Sequence, residues 1–557
     1  MTHFFTVLPP KGKYFILLFT LFLSLNTLYG QISPSLSAAA QQLLGLEFDA
    51  AERDSMQDGL SDQRKDYEAL RSVALPNSVV PSVTFQPLPP GFMIAEKQEP
   101  IRWLLPKKVT MPENRESLAF YSVAQLSVLI KTKKITSEEL TRIYLNRLKK
   151  YGDTLECVVT LTEERAIERA KKADREIRSG KYRGPLHGIP YGVKDLLAVE
   201  GYPTTWGARP YQDQVLEETA TVVERLDSAG AVLVAKLTMG ALAWGDVWFG
   251  GVTRNPWNLQ EGSSGSSAGS ASATAAGLVA FSIGTETWGS IVSPSTRCGN
   301  SGLRPTYGRV SRSGAMALSW SMDKIGPICR TAEDCALVFE AIRGLDPDDL
   351  SLIDAPFNYD ARTPVSELKV GYLADLFETN YPGKANDLKS LETLRSLGID
   401  LIPIRLPEEL PVNALAIILS AEAAAAFDEL TRSNRDSLLT RQIKNAWPNV
   451  FRTARFIPAV EYIQANRIRT LLIQQMFQCM QAVDVVVTPS FEGNQLLMTN
   501  LTGHPVVVVP NGFYENGSPS SISFLGNLFG EAQILRLAKN FQEVTDFEDQ
   551  HPEWLKP

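Results

Sequence analysis

The chain is short of the residues on which many enzyme chemistries depend. Only four histidines occur in 557 residues, His3, His187, His504 and His551, with five cysteines, Cys157, Cys298, Cys329, Cys335 and Cys479. No Cys-x-x-Cys pair is present, which excludes a paired-cysteine zinc site. Five cysteines make no disulfide framework either, although one bridge is open to them in an oxidising compartment; most read as small buried side chains. Long Lys/Arg runs are missing and the formal net charge is -7. A surface of that sign repels nucleic acid, so no nucleic-acid partner is expected. No apolar run reaches the roughly 20 residues of a membrane-spanning helix. With 44% hydrophobic and 9% aromatic residues, the chain is too apolar for disorder and has ample material for a large core.

The first 30 residues read as an address. Lys11 and Lys13 precede the uncharged run Tyr14 to Leu25, and a small residue, Gly30, follows. A basic start, a short apolar stretch and a small residue describe a secretory signal peptide. Leu28 stands where an alanine is usual before the cut, and an uncleaved anchor is the alternative. The expectation is a secreted or periplasmic protein with no stable membrane span once the leader is gone. Loss of Lys11 and Lys13 makes the mature chain still more negative.

Residues 31–116 read as an N-terminal extension. Helix-forming sequence runs to about residue 72, and eight prolines between Pro76 and Pro112 forbid regular helix and suggest an extended strap. From residue 117 to 557 one main domain is expected. Thr136-Ser137-Glu138-Glu139 has capping-box spacing, with Leu140, Ile143, Tyr144, Leu148 and Tyr151 on one helical face. Helices are also expected over 163–178, 414–426 and 459–482. Short apolar runs alternate with them: AVLVAKL at 231, LVAFSIG at 278, KVGYL at 369, DVVVT at 484 and PVVVVP at 505. Such runs suit strands buried on both faces. The fold class is therefore α/β: one large, mostly buried sheet covered on both faces by helices.

Residues 262–273, GSSGSSAGSASA, contain only Gly, Ser and Ala. A flexible linker is the default for such a run. Its position in the body of the domain, between Asn255-Pro256-Trp257-Asn258 and a core strand, favours close backbone packing beside a pocket. Gly265-Ser266-Ser267-Ala268-Gly269 matches the G-x-S-x-G elbow with Ser267 as nucleophile, but no strand is expected immediately before it, and only His504 could complete such a triad. Gly284-Thr285-Glu286-Thr287-Trp288-Gly289-Ser290-Ile291 leaves a buried strand. A serine there can sit in a tight turn whose N–H groups, at 287–290, face a developing oxyanion. In Gly188-Ile189-Pro190-Tyr191-Gly192-Val193-Lys194-Asp195 a lysine follows apolar residues. Burial would lower its pKa; an ion pair with a nearby carboxylate is the alternative. His187 and His504 sit in Gly/Pro-flanked turns and read as structural hydrogen-bonders.

GPLHGIPYGVKD (184–195), NPWN (255–258), GSSAGSASATAAGL (265–278), GTETWGSIVSPSTRCGNSGLRPTYGRVSRSG (284–314) and MDKIGPICRT (322–331) together resemble the amidase signature family. The likeness runs from about residue 117 to the end and includes TNLTGHPVVVVPNGF (499–513). It implies a Ser-cisSer-Lys triad of Lys194 as base, Ser266 as bridging serine after a cis peptide bond, and Ser290 as nucleophile. It also implies an oxyanion hole from the backbone of Thr287, Trp288, Gly289 and Ser290. Such an enzyme hydrolyses a small-molecule amide through an acyl-enzyme and needs no metal or cofactor. Ala268, Trp288, Val292 and the segment Lys236 to Ala241 depart from the usual pattern, and the lost polar groups hint at a neutral or apolar amide. The alternatives are the amidase subunit of a tRNA-dependent amidotransferase, a non-catalytic binding protein of the same fold, and an esterase using Ser267 and His504.

Overall fold

The computed structural model describes residues 32–556; the expected leader lies outside the described residues. The chain divides into two compact units, one ending at Pro76 and one beginning at Asn77. The first carries helices Pro34–Leu44, Ala50–Ser55 and Gln57–Arg71. Their starts follow local chemistry. The Ser33 side chain accepts the Leu36 N–H ahead of Pro34, and Asp49 and Glu52 form a reciprocal capping box.

The second unit is built on a sheet of eleven strands. These are β1 (Val158–Leu161), β2 (Pro190–Lys194), β3 (Val232–Leu237), β4 (Phe281–Glu286), β5 (Ser301–Arg304), β6 (Lys324–Cys329), β7 (Val370–Leu373), β8 (Leu401–Ile404), β9 (Val485–Pro489), β10 (Val506–Phe513) and β11 (Pro519–Gly526). Their order is β1-β3-β2-β4-β6-β5-β10-β11-β9-β7-β8. The sheet is mixed. β2 runs parallel to β3 and β4, and β7 parallel to β8 and β9, while the remaining pairs are antiparallel.

The five apolar runs fall in β3, β4, β7, β9 and β10. Alternate side chains enter different cores, as a strand's two-residue period requires. Val507 and Val509 join one core, with Leu337 and Phe339 of helix Ala332–Ile342 and Ile534 and Leu535 of helix Glu531–Gln542. Val506 and Val508 join another, with Leu472 and Met476 of helix Ala459–Met480 and Leu497 and Leu501 of helix Gln495–Thr502. Helices thus cover both faces. Helix Ser137–Leu155 starts where the Thr136 side chain accepts the Glu139 N–H, and the helix expected over 163–178 is Glu163–Arg178. The strand expected from residue 278 begins later, at Phe281, because residues 277–280 complete a turn with Gly277 at φ +65.

The proline-rich stretch from Asn77 on is extended and tied to the body. Arg102 N–H donates to the Tyr359 carbonyl and its own carbonyl accepts from Ala361 N–H, both at 3.0 Å. Phe85 packs edge-on against Tyr307 at 5.0 Å. Among the described residues, no helix is long and apolar enough to cross a membrane.

The Gly/Ser/Ala run is not a linker. From Ala268 to Ala275 it is a helix with every residue buried. Only small side chains fit there: a β-carbon on Gly269 would lie 2.5 Å from the Thr238 nitrogen and 2.6 Å from the Cys157 oxygen. Its hydroxyls bond to backbone, Ser270 to the Ile283 carbonyl at 3.1 Å and Ser272 to the Arg254 carbonyl at 2.8 Å.

Candidate active site

β2 and β4 are parallel neighbours, so the loops leaving both emerge at the same end of the sheet, where open α/β sheets place ligands. β2 ends on Lys194, wholly buried. Thr285, near the end of β4, lies beside it: Lys194 Nζ is 2.8 Å from Thr285 Oγ1 and 3.4 Å from its carbonyl oxygen. The third wall is the start of the small-residue helix. Lys194 Nζ lies 2.7 Å from Ser266 Oγ and 3.2 Å from Ser267 Oγ. The Gly265–Ser266 peptide bond is cis. Gly265 is obligatory in this packing, since a β-carbon there would lie 1.9 Å from the Gly245 carbonyl oxygen.

No carboxylate pairs with Lys194 among the described residues. The alternative ion pair belongs to the adjacent residues: Asp195 pairs with Lys236 at 3.0 Å, both fully buried. Burial pushes the Lys194 amine down from 10.5 to about 7, against a smaller opposing pull from Asp323 and Glu286.

Ser290 stands on the turn after β4, preceded by Gly289 at φ +86. It is 8% exposed, whereas Ser266 and Ser267 are completely buried. Its hydroxyl makes no hydrogen bond among the described residues. The serine loops meet through backbone instead, with Ser267 N–H donating to the Ser290 carbonyl at 3.2 Å. The structure thus joins Lys194 to Ser266 directly, and brings Ser290 alongside without a hydroxyl–hydroxyl bond. The N–H groups of Trp288, Gly289 and Ser290 donate to no acceptor among the described residues, leaving successive free donors beside the Ser290 hydroxyl.

Two carboxylates hold that turn, Glu286 fully buried and Asp323 half-buried, and sequence reasoning singled out neither. Glu286 Oε2 accepts the N–H groups of Ile291 at 2.9 Å and Val292 at 3.0 Å, while its Oε1 takes Arg304 at 2.7 Å and Asn500 at 2.9 Å. Burial alone would raise this carboxyl; the Arg304 charge and hydrogen bonds from Val292 N–H, Asn500 and Arg304 outweigh it and hold the group at about 2. Asp323 Oδ1 accepts from the Thr287 hydroxyl at 2.5 Å, and Oδ2 from Leu318 and Ser319 N–H at 2.8 and 2.9 Å. The available signal was an acidic residue inside a run of small and apolar residues, which needs donors around it once buried.

The remaining candidates stay apart from this chemistry. A short strand, Asn258–Gly262, ends two residues before the G-x-S-x-G match and belongs to a separate two-stranded pair, so none leads directly into it from the main sheet. The Ser267 hydroxyl is also committed, donating to the Thr285 carbonyl at 3.0 Å and accepting Thr285 N–H at 3.1 Å. His504 binds Thr502 Oγ1 through Nδ1 at 2.7 Å, and burial, with Arg304 nearby, pushes it down to about 3. His187 accepts Arg183 N–H at 3.1 Å and lies 3.2 Å from Glu176. Four cysteines are buried and all five are free. Val292 is fully buried in the core and presents nothing to a ligand. A separate cavity of about 170 Å³, lined by Lys389, Ser390, Asn511 and Phe541, holds none of the triad residues.

Known proteins resemble this chain in sequence and in fold. A family model described as Amidase matches residues 139–497. A glutamyl-tRNA(Gln) amidotransferase subunit from Marinomonas sp. (strain MWYL1) is 33% identical over 482 residues, covering 78% of this chain and 99% of the relative. Among solved structures, the native peptide amidase from Stenotrophomonas maltophilia superposes with a TM-score of 0.68 at 28% identity, covering 77% of this chain and 98% of that one. An amidase family protein from Bacillus anthracis str. Ames gives a TM-score of 0.68 at 28% identity, over 77% and 92%.

Proposed function

This chain belongs to the amidase signature family, and from that premise we propose that it is a serine amidase with Ser290 as nucleophile, Ser266 as proton relay and Lys194 as base. The observation that carries this reading is the Lys194 amine, sealed from solvent and 2.7 Å from Ser266 Oγ. A neutral amine has two N–H bonds and one lone pair. The N–H bonds are taken up by Thr285 Oγ1 and Ser267 Oγ, which leaves the lone pair for the Ser266 proton.

On substrate entry the Ser290 hydroxyl rotates onto Ser266. Such catalytic hydrogen bonds often tighten only in the complex. Ser290 Oγ then attacks the amide carbonyl while its proton passes to Ser266 and the Ser266 proton passes to Lys194. The negative charge forming on the carbonyl oxygen meets the free N–H groups of the 287–290 turn, where loss of one donor typically costs about 2.7–4 kcal/mol. The relay run backwards protonates the leaving nitrogen, which departs as ammonia or amine. Water enters by the same route and releases the acid. Glu286 and Asp323 act as positioning residues that fix the turn.

The leader pattern supports a location outside the cytoplasm, in the periplasm or secreted; it is a property of residues 1–30 alone. A second reading, the amidase subunit of a tRNA-dependent amidotransferase, is favoured by the 33% identity to such subunits, while the leader and the acidic charge favour the free amidase. A fluorophosphonate probe followed by peptide mass spectrometry tests the first reading. The label is expected on Ser290, with slower labelling of Lys194→Ala at neutral pH. A label on Ser267 would overturn the assignment, and an unlabelled protein would favour a non-catalytic binding role.

A further inference from the structure

Trp288 is the exception in an otherwise buried turn. Its neighbours Glu286, Thr287, Ser290 and Val292 are 8% exposed or less, whereas Trp288 is 44% exposed. Slack backbone does not explain this, because the turn is clamped on both sides. Thr287 is tied to Asp323, and Ile291 and Val292 are tied to Glu286. The indole itself has no hydrogen-bond or ring partner among the described residues. A rigid backbone therefore presents a large, unpartnered aromatic face two residues from the Ser290 hydroxyl. Leu496 lies against the same turn, its Cδ2 3.2 Å from where a β-carbon on Gly289 would stand. Of the ionisable groups around the turn, Lys194 and Glu286 are buried and Asp323 is half-buried, and all three are already engaged by protein atoms. Lys194 and Glu286 are in no position to neutralise a charged substrate group, and Asp323 already accepts three hydrogen bonds.

We infer that Trp288 is a specificity residue, the surface on which the substrate lays a flat apolar group adjoining the scissile carbonyl, so that the preferred substrates are aromatic amides. This rests on the amidase reading above. An aromatic ring beside the carbonyl would cover the indole as the oxyanion donors engage, and aromatic pairs contribute beyond the area they bury.

The test measures kcat/KM for benzamide (ring on the acyl side), acetanilide (ring on the amine side) and acetamide, in the wild type, Trp288→Ala and Trp288→Phe. The readout is the ratio of each aromatic amide to acetamide, which divides out any general effect of the substitution on the turn. In Trp288→Ala the ratio should fall about five- to tenfold for at least one aromatic amide, mainly through KM. Trp288→Phe should restore most of it, and the amide with the larger loss identifies the side recognised. An unchanged ratio, or one that rises because the indole had been an obstruction, overturns the inference while leaving the amidase reading intact. A wild type that hydrolyses none of the three and resists fluorophosphonate overturns both.

Discussion

Replacing Lys194 with methionine should stabilise the fold at low pH and lose that advantage as pH rises. The amine is fully buried and its pKa falls from 10.5 to about 7, which corresponds to about 5 kcal/mol of disfavoured ammonium. Below pH 7 the folded protein carries that full cost. Between about 7 and 10.5 the unfolded chain holds a proton that the folded one has shed, so wild-type stability climbs with pH across this window. Methionine keeps the length and apolar stem without the titration. The stability of Lys194→Met minus that of wild type should therefore shrink by about 3 kcal/mol between pH 6.5 and 9.5. Urea unfolding of both proteins across that range measures it. A difference that stays constant with pH would mean that the folded amine titrates like an exposed lysine, and the relay would have no base.

The order of motifs singled out Lys194, Ser266 and Ser290 before any contact was known; of these, Lys194 and Ser266 meet at 2.7 Å after a cis peptide bond, while Ser290 is linked only through backbone. The buried sheet was legible as well: five uninterrupted apolar runs became strands because only a sheet covered on both faces accepts them. Two things escaped. The helix from Ala268 to Ala275 shows no amphipathic period, as it is made of small residues packed on every side. Its hydroxyls find backbone carbonyls distant in sequence, which no local pattern announces. The clamps on the turn after β4 were hidden for a related reason. Glu286 is bound by Arg304 and Asn500, and Asp323 by Thr287 and two loop amides; these partners come together only once the strands are ordered. Lys194 and Asp195 show the same limit: both are buried, yet the ion pair fell to Asp195 and Lys236 on the neighbouring strand.

Ser266→Ala should cut kcat by roughly 10²- to 10⁴-fold with little change in KM, because it removes the proton link and not the binding surface; steady-state kinetics on the best amide decides this, and a matching KM defect would speak against a relay. Glu286→Gln leaves Arg304 buried without its carboxylate, a change that costs about 3–5 kcal/mol, so thermal unfolding should shift down together with kcat; an unchanged melting temperature and rate would remove Glu286 from its positioning role. His504→Ala should leave most turnover in place, since its ring is engaged with Thr502; loss of all activity would instead support the Ser267–His504 arrangement.

The rate at which a fluorophosphonate labels Ser290, followed from pH 5 to pH 10, reads the protonation state of the base without requiring the natural substrate. A desolvated Lys194 predicts a rate that rises with pH through a single inflection near 7 and then levels off, with that inflection lost in Lys194→Met. An inflection close to 10, or a rate indifferent to pH, would contradict a neutral lysine as the group that activates Ser290.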